Sequence, residues 1–264
     1  MKTALTLAAA LWATAAAAEF PDQVAALDVL PGWQDADGTQ MAGLRITLAP
    51  GWKTYWRAPG DAGIPPALTL EGADNIGSVQ MSWPVPEVFD QNGMRSIGYH
   101  DMVVLPLRIS PLDPGAPMHL SGRLEIGVCE EVCVPMEFGL DAMLPPAGKR
   151  DPAIVAALVD RPLTAQEAGV VSATCVLRPG DRGMEVTATI TMPSAGGREV
   201  VVIEAGDPEI WVSEPDVTRS GNRLVAVSDL VHFTQDSFAV DRSAIRFTVL
   251  GSAQAVDIRG CAAG

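Results

Sequence analysis

The sequence predicts an all-β protein built from two antiparallel β-sandwich domains, joined by a proline-rich linker with one short helix. Short runs of alternating apolar and polar residues recur along most of the chain, and glycine, proline or aspartate ends each run. This pattern is typical of antiparallel sandwiches. The alternation stops once, over residues 145–169, and then resumes. The length of the chain also fits two domains of ordinary size.

The first 18 residues are predicted to be an export signal. Lys2 precedes an apolar run that ends in small residues just before Glu19, which is the arrangement of a cleavable secretory signal. The run is shorter than the roughly 20 residues that a membrane-spanning helix needs. We therefore expect a soluble, exported protein of the periplasm, without membrane insertion, that begins near Glu19.

The composition is acidic, with 32 acidic against 18 basic residues and a formal charge of −14. A surface of this sign repels a phosphate backbone and lacks the counterion release on which non-specific nucleic-acid binding depends. Nucleic acid is therefore not a predicted partner. No glycine-rich loop opens a helix as a phosphate cradle would, and the three histidines lack the spacing of a zinc protease. The sequence thus predicts no cofactor and no hydrolase constellation.

The first predicted domain covers residues 19–144. Six short alternating segments lie within it, and each has the length of a single strand. They read MAGLRITLAP, PPALTLEG, GSVQMSW, MVVLPLRIS, MHLSGRLEIGV and MEFGLDAML.

Residues 145–169 are predicted to be the linker, and residues 170–264 the second sandwich. The linker holds four prolines and one short helical stretch, with Asp151 suited to cap the helix and Pro152 suited to its first position. Alternation then resumes in MEVTATITM, REVVVIEA, RLVAVSDL, AIRFTVLG and QAVDIRG.

Four cysteines in an exported chain make two disulfides the first expectation, with three possible connectivities. Cys129 with Cys133 is the local choice, which leaves Cys175 with Cys261. The second bridge would tie the first strand of the second domain to its last. Closing so long a loop stabilises a fold by roughly 4 to 5 kcal/mol. We therefore interpret Cys175 and Cys261 as a structural pair.

The close pair, within GVCEEVCVPM at residues 127–136, has a different character. In a straight strand the two Cα atoms would lie about 13 Å apart, whereas a disulfide needs about 4.4 to 6.8 Å. A bridge therefore requires a tight turn or a single helical turn. So small a ring gains little from loop closure, whereas close pairs suit thiol-disulfide exchange, in which the second sulfur resolves the mixed disulfide. A structural bridge and a redox pair both stay open on spacing alone.

Glu130 and Glu131 lie between the two cysteines. Carboxylates beside a thiol disfavour its thiolate and raise its pKa. A pair without a stabilised thiolate favours the disulfide at equilibrium, and it is then a better electron donor when reduced than an oxidant. We therefore hypothesise that Cys129 and Cys133 form a reducing pair.

Metal binding is the competing chemistry. Cys129, Cys133 and Met136 offer three soft sulfur ligands of the kind that suits Cu(I). Methionines in a β protein more often fill the core than bind a metal. Copper binding is therefore an alternative, and the main interpretation contains no metal site.

Four stretches of the first domain together resemble the periplasmic N-terminal domain of the thiol:disulfide interchange protein DsbD, and more closely the suppressor of copper sensitivity B (ScsB) group. They are GWKTYWRAPGDAGIPP at 51–66, WPVPEVF at 83–89, GYHDMVVLPL at 98–107 and CEEVCVP at 129–135. The second half, with IRGC near its end, resembles the additional β domain of the ScsB type. The resemblance implies immunoglobulin-like sandwiches. It also implies a cysteine pair that receives electrons from a membrane protein of the DsbD/ScsB type and passes them to periplasmic thioredoxin-like proteins.

The same resemblance assigns roles to individual residues. Cys129 and Cys133 would be the exchange pair, and Trp52 and Tyr55 would be aromatic residues beside it. Tyr99, in the GYHD stretch, belongs to the same expected supporting set.

A cap over the pair is expected at FDQNG, residues 89–93, with Phe89, Asp90 and Asn92 as its supporting residues. A cap shields a reactive pair from the wrong partners. Two departures from the family matter here. The spacer between the cysteines is shorter than in DsbD, and Gln91 or Asn92 occupies the position of an aromatic cap residue.

The membrane channel and the thioredoxin-like domain of DsbD and ScsB have no counterpart in this sequence, so a separate membrane protein is expected to supply electrons. We predict a thiol-disulfide oxidoreductase of the disulfide-reductase type, which relays reducing equivalents through Cys129 and Cys133. One alternative is a copper-handling protein that binds Cu(I) or supports copper tolerance. The other is a non-catalytic binding module with structural disulfides.

Overall fold

The computed structural model of the chain describes residues 24–61, 63–91, 93–146, 148–180, 183–234 and 238–264. The predicted export signal at residues 1–18 lies outside them. The described part is almost entirely β-structure arranged as two immunoglobulin-like sandwiches, which confirms the predicted fold class. Within these residues, no helix has both the length and the apolar character needed to cross a membrane.

The first sandwich, in the part of the chain that the structure describes, contains ten strands in two sheets. In chain order the strands are β1 (Ala25–Gln34), β2 (Gln40–Leu48), β3 (Lys53–Tyr55), β4 (Ala67–Leu70), β5 (Ile76–Met81), β6 (Glu87–Gln91), β7 (Met94–His100), β8 (Met102–Pro111), β9 (Met118–Cys129) and β10 (Cys133–Leu144). One sheet has the order β1-β2-β8-β5. The other has the order β10-β9-β3-β7-β6, and β4 also pairs with β9.

The core of this sandwich follows from the two-residue period of its strands, because alternate side chains point to opposite faces of a sheet. The buried apolar side chains of β2, β8 and β9 fall at every second position and meet between the sheets; they are Leu44, Ile46, Leu105, Leu107, Leu124, Ile126 and Val128. The opposite face of the second sheet is therefore free to carry polar and reactive side chains.

The predicted linker contains one helix, α1 (Pro152–Val159), which packs on the first sandwich. The Asp151 side chain caps it by accepting a hydrogen bond from the Ala153 amide at 2.8 Å, and proline occupies its first turn. Ile154 is fully buried in a small cluster with residues of β1, β2 and β8. A Cβ atom at Gly43 would lie 2.9 Å from the Ile154 side chain, so this close approach needs glycine. The segment is thus an ordered connection.

The second sandwich also has two sheets. Its strands are β11 (Leu163–Thr164), β12 (Ser172–Gly180), β13 (Gly183–Thr191), β14 (Val200–Glu204), β15 (Ile210–Val212), β16 (Asp216–Ser220), β17 (Arg223–His232), β18 (Arg246–Leu250), β19 (Ala255–Arg259) and β20 (Ala262–Ala263). One sheet has the order β11-β19-β18-β14. The other has the order β15-β17-β13-β12-β20, with β16 against β17.

The two sandwiches share an apolar interface. Val200 and Leu250, which pair across β14 and β18, pack against the core of the first sandwich. Beside them Arg57 of the first sandwich donates two hydrogen bonds of 3.0 Å to the Glu204 carboxylate and one of 3.1 Å to Thr248. A cavity of about 740 Å³ lies next to this ion pair, between the two sandwiches.

Candidate functional site

A hairpin at the end of the second sheet carries the close cysteine pair. Cys129 ends β9, Cys133 begins β10, and the two residues pair directly across the hairpin. Their Cα atoms lie 4.1 Å apart and their sulfurs form a disulfide. The tight turn that the spacing required is therefore confirmed, with residues 130–132 as the connecting loop.

The two cysteines differ in exposure. Cys129 is 5% exposed, whereas Cys133 is an exposed residue at the start of the outer strand. An attacking thiolate must approach a disulfide sulfur directly, so access decides which sulfur reacts. The geometry makes Cys133 the accessible sulfur and Cys129 the protected one.

The strand register places Lys53 and His100 in one row with the pair. Cys133 lies opposite Cys129, Cys129 opposite Lys53, and Lys53 opposite His100. Residues that face each other across antiparallel strands project from the same side of the sheet. The disulfide therefore lies on the outer face, away from the core of the sandwich, with strand β3 as its neighbour.

Tyr55 approaches the exposed sulfur from the same face. Its hydroxyl lies 3.1 Å from the sulfur of Cys133, and because a disulfide sulfur has no proton, the phenol donates this hydrogen bond. Burial raises the pKa of Tyr55, so the hydroxyl keeps its proton. A Cβ atom at Gly127 would lie 2.9 Å from the Tyr55 ring, so glycine at this position lets the ring lie flat on β9.

Lys53 is a buried cation next to the pair, and it was not among the residues predicted for the site. It is 6% exposed, donates a hydrogen bond of 2.9 Å to the Ser96 hydroxyl, and holds its ammonium 5.0 Å from the centre of the Phe89 ring. Burial lowers the pKa of Lys53. In the sequence, the feature that could have indicated this role is a lysine within the aromatic-rich stretch GWKTYW.

Residues 21–144 match the sequence model of the family described as "Thiol:disulfide interchange protein DsbD, N-terminal". These residues form a DsbD-like N-terminal domain. The predicted resemblance is thereby confirmed for the segment that contains the hairpin, the disulfide and Tyr55.

A solved structure resembles the DsbD-like domain and the second sandwich together. It is the crystal structure of the N-terminal periplasmic domain of ScsB from Proteus mirabilis, with a TM-score of 0.71 and 21% sequence identity over 93% of this chain and 97% of that chain. At this identity the likeness concerns the fold, and it supports the ScsB type of two-sandwich arrangement. A sequence search of curated proteins returned no match.

Two of the aromatic residues expected beside the pair lie in the core of the DsbD-like domain. Trp52 is 5% and Tyr99 is 6% exposed, and both pack in the main hydrophobic cluster. Tyr99 pairs with Thr54, so it projects from the face opposite Lys53, and its hydroxyl donates to the Pro84 carbonyl at 2.9 Å. Of the three expected aromatic neighbours, Tyr55 alone has a contact with the disulfide among the described residues.

The expected cap of the DsbD-like domain is a hairpin of β6 and β7. Phe89 is half-buried on the outer face, where it contacts Lys53 and meets His100 edge to face at 6.5 Å. Asp90 is exposed and pairs with Arg95 at 3.4 Å. Asn92 lies outside the described residues, as does the side chain of Gln91. The structure thus brings Phe89 to Lys53, next to the row that contains the sulfurs.

Met136 does not join the two cysteine sulfurs. It lies three positions after Cys133 on β10, so it projects from the opposite face, and it packs against the hydrophobic core. Among the residues that the structure describes, no cluster of three or more His, Cys, Asp or Glu side chains could hold a metal ion. Of the three sulfur ligands proposed for Cu(I), only the two cysteine sulfurs therefore lie on this face.

The second disulfide joins Cys175 and Cys261, whose Cα atoms lie 5.7 Å apart. Cys175 is 1% exposed and belongs to the core of the second sandwich. Cys175 pairs with Ala263 of the terminal strand β20, so the bridge connects β12 with the end of the chain. Its burial contrasts with the exposure of Cys133.

Proposed function

We propose that the chain is a periplasmic thiol:disulfide interchange protein that relays reducing equivalents through Cys129 and Cys133. The observation that carries the proposal is the hairpin disulfide on the outer face of the DsbD-like domain, in which Cys133 is an exposed residue and its sulfur accepts a hydrogen bond from Tyr55. A ring this small contributes little stability through loop closure, so its position suits exchange better than reinforcement.

The exchange runs through a mixed disulfide. In the reduced domain, the Cys133 thiolate attacks a disulfide of the oxidised partner and releases one partner thiolate. The Cys129 thiolate then attacks the Cys133 sulfur and releases the second partner thiolate, which restores the Cys129–Cys133 disulfide. Two electrons pass to the partner, and the two protons of the thiols follow. The pair then needs a new reductant.

The partners follow from this cycle and from the family. A membrane electron-transfer protein of the DsbD/ScsB type would reduce the pair, and periplasmic thioredoxin-like proteins would receive the electrons. The carboxylates of Glu130 and Glu131 support this direction because they disfavour thiolates beside them and hence favour the disulfide form. The predicted export signal at residues 1–18 supports the periplasmic location.

Copper handling gains no support from the geometry, since Met136 projects into the core and leaves two sulfurs on the outer face. A purely structural role for the close pair predicts that both disulfides resist reduction. We expect instead that the Cys129–Cys133 disulfide is reduced readily and that the Cys175–Cys261 disulfide is not, because Cys133 is exposed whereas Cys175 is 1% exposed.

The test is a titration of the oxidised protein in glutathione redox buffers, with alkylation and mass spectrometry to report the state of each cysteine. We expect Cys129 and Cys133 to equilibrate readily and Cys175 and Cys261 to stay oxidised without denaturant. Equal resistance of both pairs would refute the exchange role.

A second measurement identifies the attacked sulfur. Cys129→Ala leaves Cys133 as a single accessible thiol, which should form a stable mixed disulfide with an oxidised thioredoxin-like protein. Cys133→Ala leaves the buried Cys129 and serves as the matched control. Equal trapping by the two variants would contradict the assignment of Cys133 as the attacking residue.

A further inference from the structure

The loop between the two cysteines is a small acidic projection beside the exposed sulfur. Glu130 and Glu131 are both exposed. Among the described residues neither carboxylate has an ion-pair partner. Two uncompensated negative charges therefore lie within three residues of the sulfur that a partner must reach.

Glu130 lies close to the neighbouring turn. A Cβ atom at Gly51, where φ is +85°, would lie 2.8 Å from the Glu130 carboxylate. This approach is possible because glycine occupies position 51, between β2 and β3. The Glu130 carboxylate thus lies next to the turn that precedes β3.

The next acidic pair on the same face has a cationic partner. Glu125 and Glu137 face each other across β9 and β10 four positions from the cysteines. Arg123 lies 3.1 Å from Glu125 and 3.7 Å from Glu137. The nearest cation in the register, Lys53, is buried and directs its ammonium to Ser96. Arg123 also pairs with Glu71, so it offsets only part of the acidic charge around it, whereas neither Glu130 nor Glu131 has an ion-pair partner among the described residues.

Exposed apolar residues lie near Cys133 in the chain and in the sheet register. Val132, directly before Cys133, is 59% exposed, and Ile64 is 39% exposed next to Gly127. Pro135 is exposed two positions after Cys133. Interfaces between proteins commonly join an apolar centre to a charged rim. This surface likewise combines apolar residues with charged ones, and the charges of Glu130 and Glu131 are both negative.

We infer that the hairpin tip, Glu130 and Glu131, selects a partner protein whose exchange cysteine lies in an apolar surface with lysine or arginine side chains at its edge. The inference rests on the exchange role proposed above. Opposite charges across an interface increase the rate of encounter, and like charges disfavour wrong partners. An acidic partner surface would meet both carboxylates at the sulfur.

The test uses acetylated tripeptide amides that differ only in charge: Lys-Cys-Lys, Gly-Cys-Gly and Glu-Cys-Glu. Each peptide thiolate attacks the Cys133 sulfur, forms a mixed disulfide and releases the Cys129 thiolate. A second peptide then attacks the mixed disulfide, so two peptide thiols become one peptide disulfide and the protein becomes a dithiol. Rates are expressed per thiolate and relative to the neutral peptide.

At low ionic strength we expect the basic peptide to react about fivefold or more faster than the acidic one, and added salt should reduce this ratio. The double substitution Glu130→Gln with Glu131→Gln should lower the rate ratio of the basic to the acidic peptide to about the value of the unaltered protein at high salt. Asp74→Asn with Asp216→Asn removes the same charge from exposed sites elsewhere and should leave the ratio unchanged.

A ratio that does not respond to the Glu130 and Glu131 substitutions overturns the inference and leaves the exchange role intact. No reaction with any peptide overturns the exchange role itself, and the inference with it.

Discussion

The Tyr55 hydroxyl lies 3.1 Å from the Cys133 sulfur, although 78 residues separate them in the chain. Strand β3 brings Tyr55 to the edge of the hairpin, and Gly127 lets the ring lie against β9. This hydrogen bond connects the buried hydroxyl of Tyr55 to the more accessible sulfur of the hairpin disulfide. This contact links the packing of the sheet to the chemistry proposed for the hairpin.

Tyr55→Phe should raise the pKa of Cys133 in the reduced protein by about one unit, because a hydrogen bond to a charged acceptor contributes roughly 1.5 to 3 kcal/mol and some of it is replaced by water. Thiolate absorbance as a function of pH measures this value. Tyr99→Phe is the matched control, since its hydroxyl bonds to Pro84 on the other face. An equal shift in both variants would argue against a direct role of Tyr55.

Gly127→Ala should displace the Tyr55 ring and weaken its bond to the sulfur. The added Cβ would lie 2.9 Å from the ring and 2.7 Å from Ile64, and such overpacking typically costs about 1 to 3 kcal/mol of stability. Urea unfolding and the rate of reduction by a neutral thiol report the two effects. Gly139→Ala, where nothing lies within 4 Å of the new atom, should change neither. Equal effects at the two glycines would show that the Tyr55 contact is not the cause.

The two disulfides should differ in their contribution to stability. By the loop-entropy relation, a bridge over 86 residues contributes about 4.6 kcal/mol and one over four residues about 2 kcal/mol. Cys175→Ala with Cys261→Ala should therefore lower the free energy of unfolding about twice as much as Cys129→Ala with Cys133→Ala. Urea denaturation of the two double variants measures the difference. A larger loss from the hairpin variant would favour a structural role for the close pair.

Glu167 should make the stability of the protein depend on pH in the acid range. Hydrogen bonds from Arg161 and from the backbone and hydroxyl of Thr164 lower the pKa of Glu167 from 4.5 to about 2. Because the folded-state pKa is the lower one, this stabilisation is complete above pH 4.5 and disappears as the pH falls through 2.

Glu167→Gln should thus unfold more easily than the unaltered protein at neutral pH, and the difference should diminish as the pH falls toward 2. Urea unfolding at a series of pH values measures this convergence. Asp216→Asn, at an exposed site on β16, is the control and should show no comparable trend. A difference for Glu167→Gln that is constant with pH would exclude this linkage.

The alternation of apolar residues was sufficient to predict the sandwich class and the connecting helix, because each depends on local patterns. Side chains two apart share a face of a strand, and Asp151 and Pro152 begin a helix wherever it lies. The same rule already separates Met136 from Cys133, since three positions along a strand change the face. Their shared sulfur chemistry suggested one ligand set, but the strand register places them on opposite faces.

Spacing along the chain was enough to show that Cys129 and Cys133 can be joined only through a tight turn, because the geometry of a strand keeps residues four apart too distant. Tertiary structure alone decided that Cys133 is exposed while Cys129 is buried, that Tyr55 reaches the sulfur, and that Lys53 lies beside the pair. These relationships arise where β3 enters between β9 and β7, strands far apart in the chain. Local propensity carries no information about such non-local pairing, so the surroundings of the disulfide emerged only with the assembled sheet.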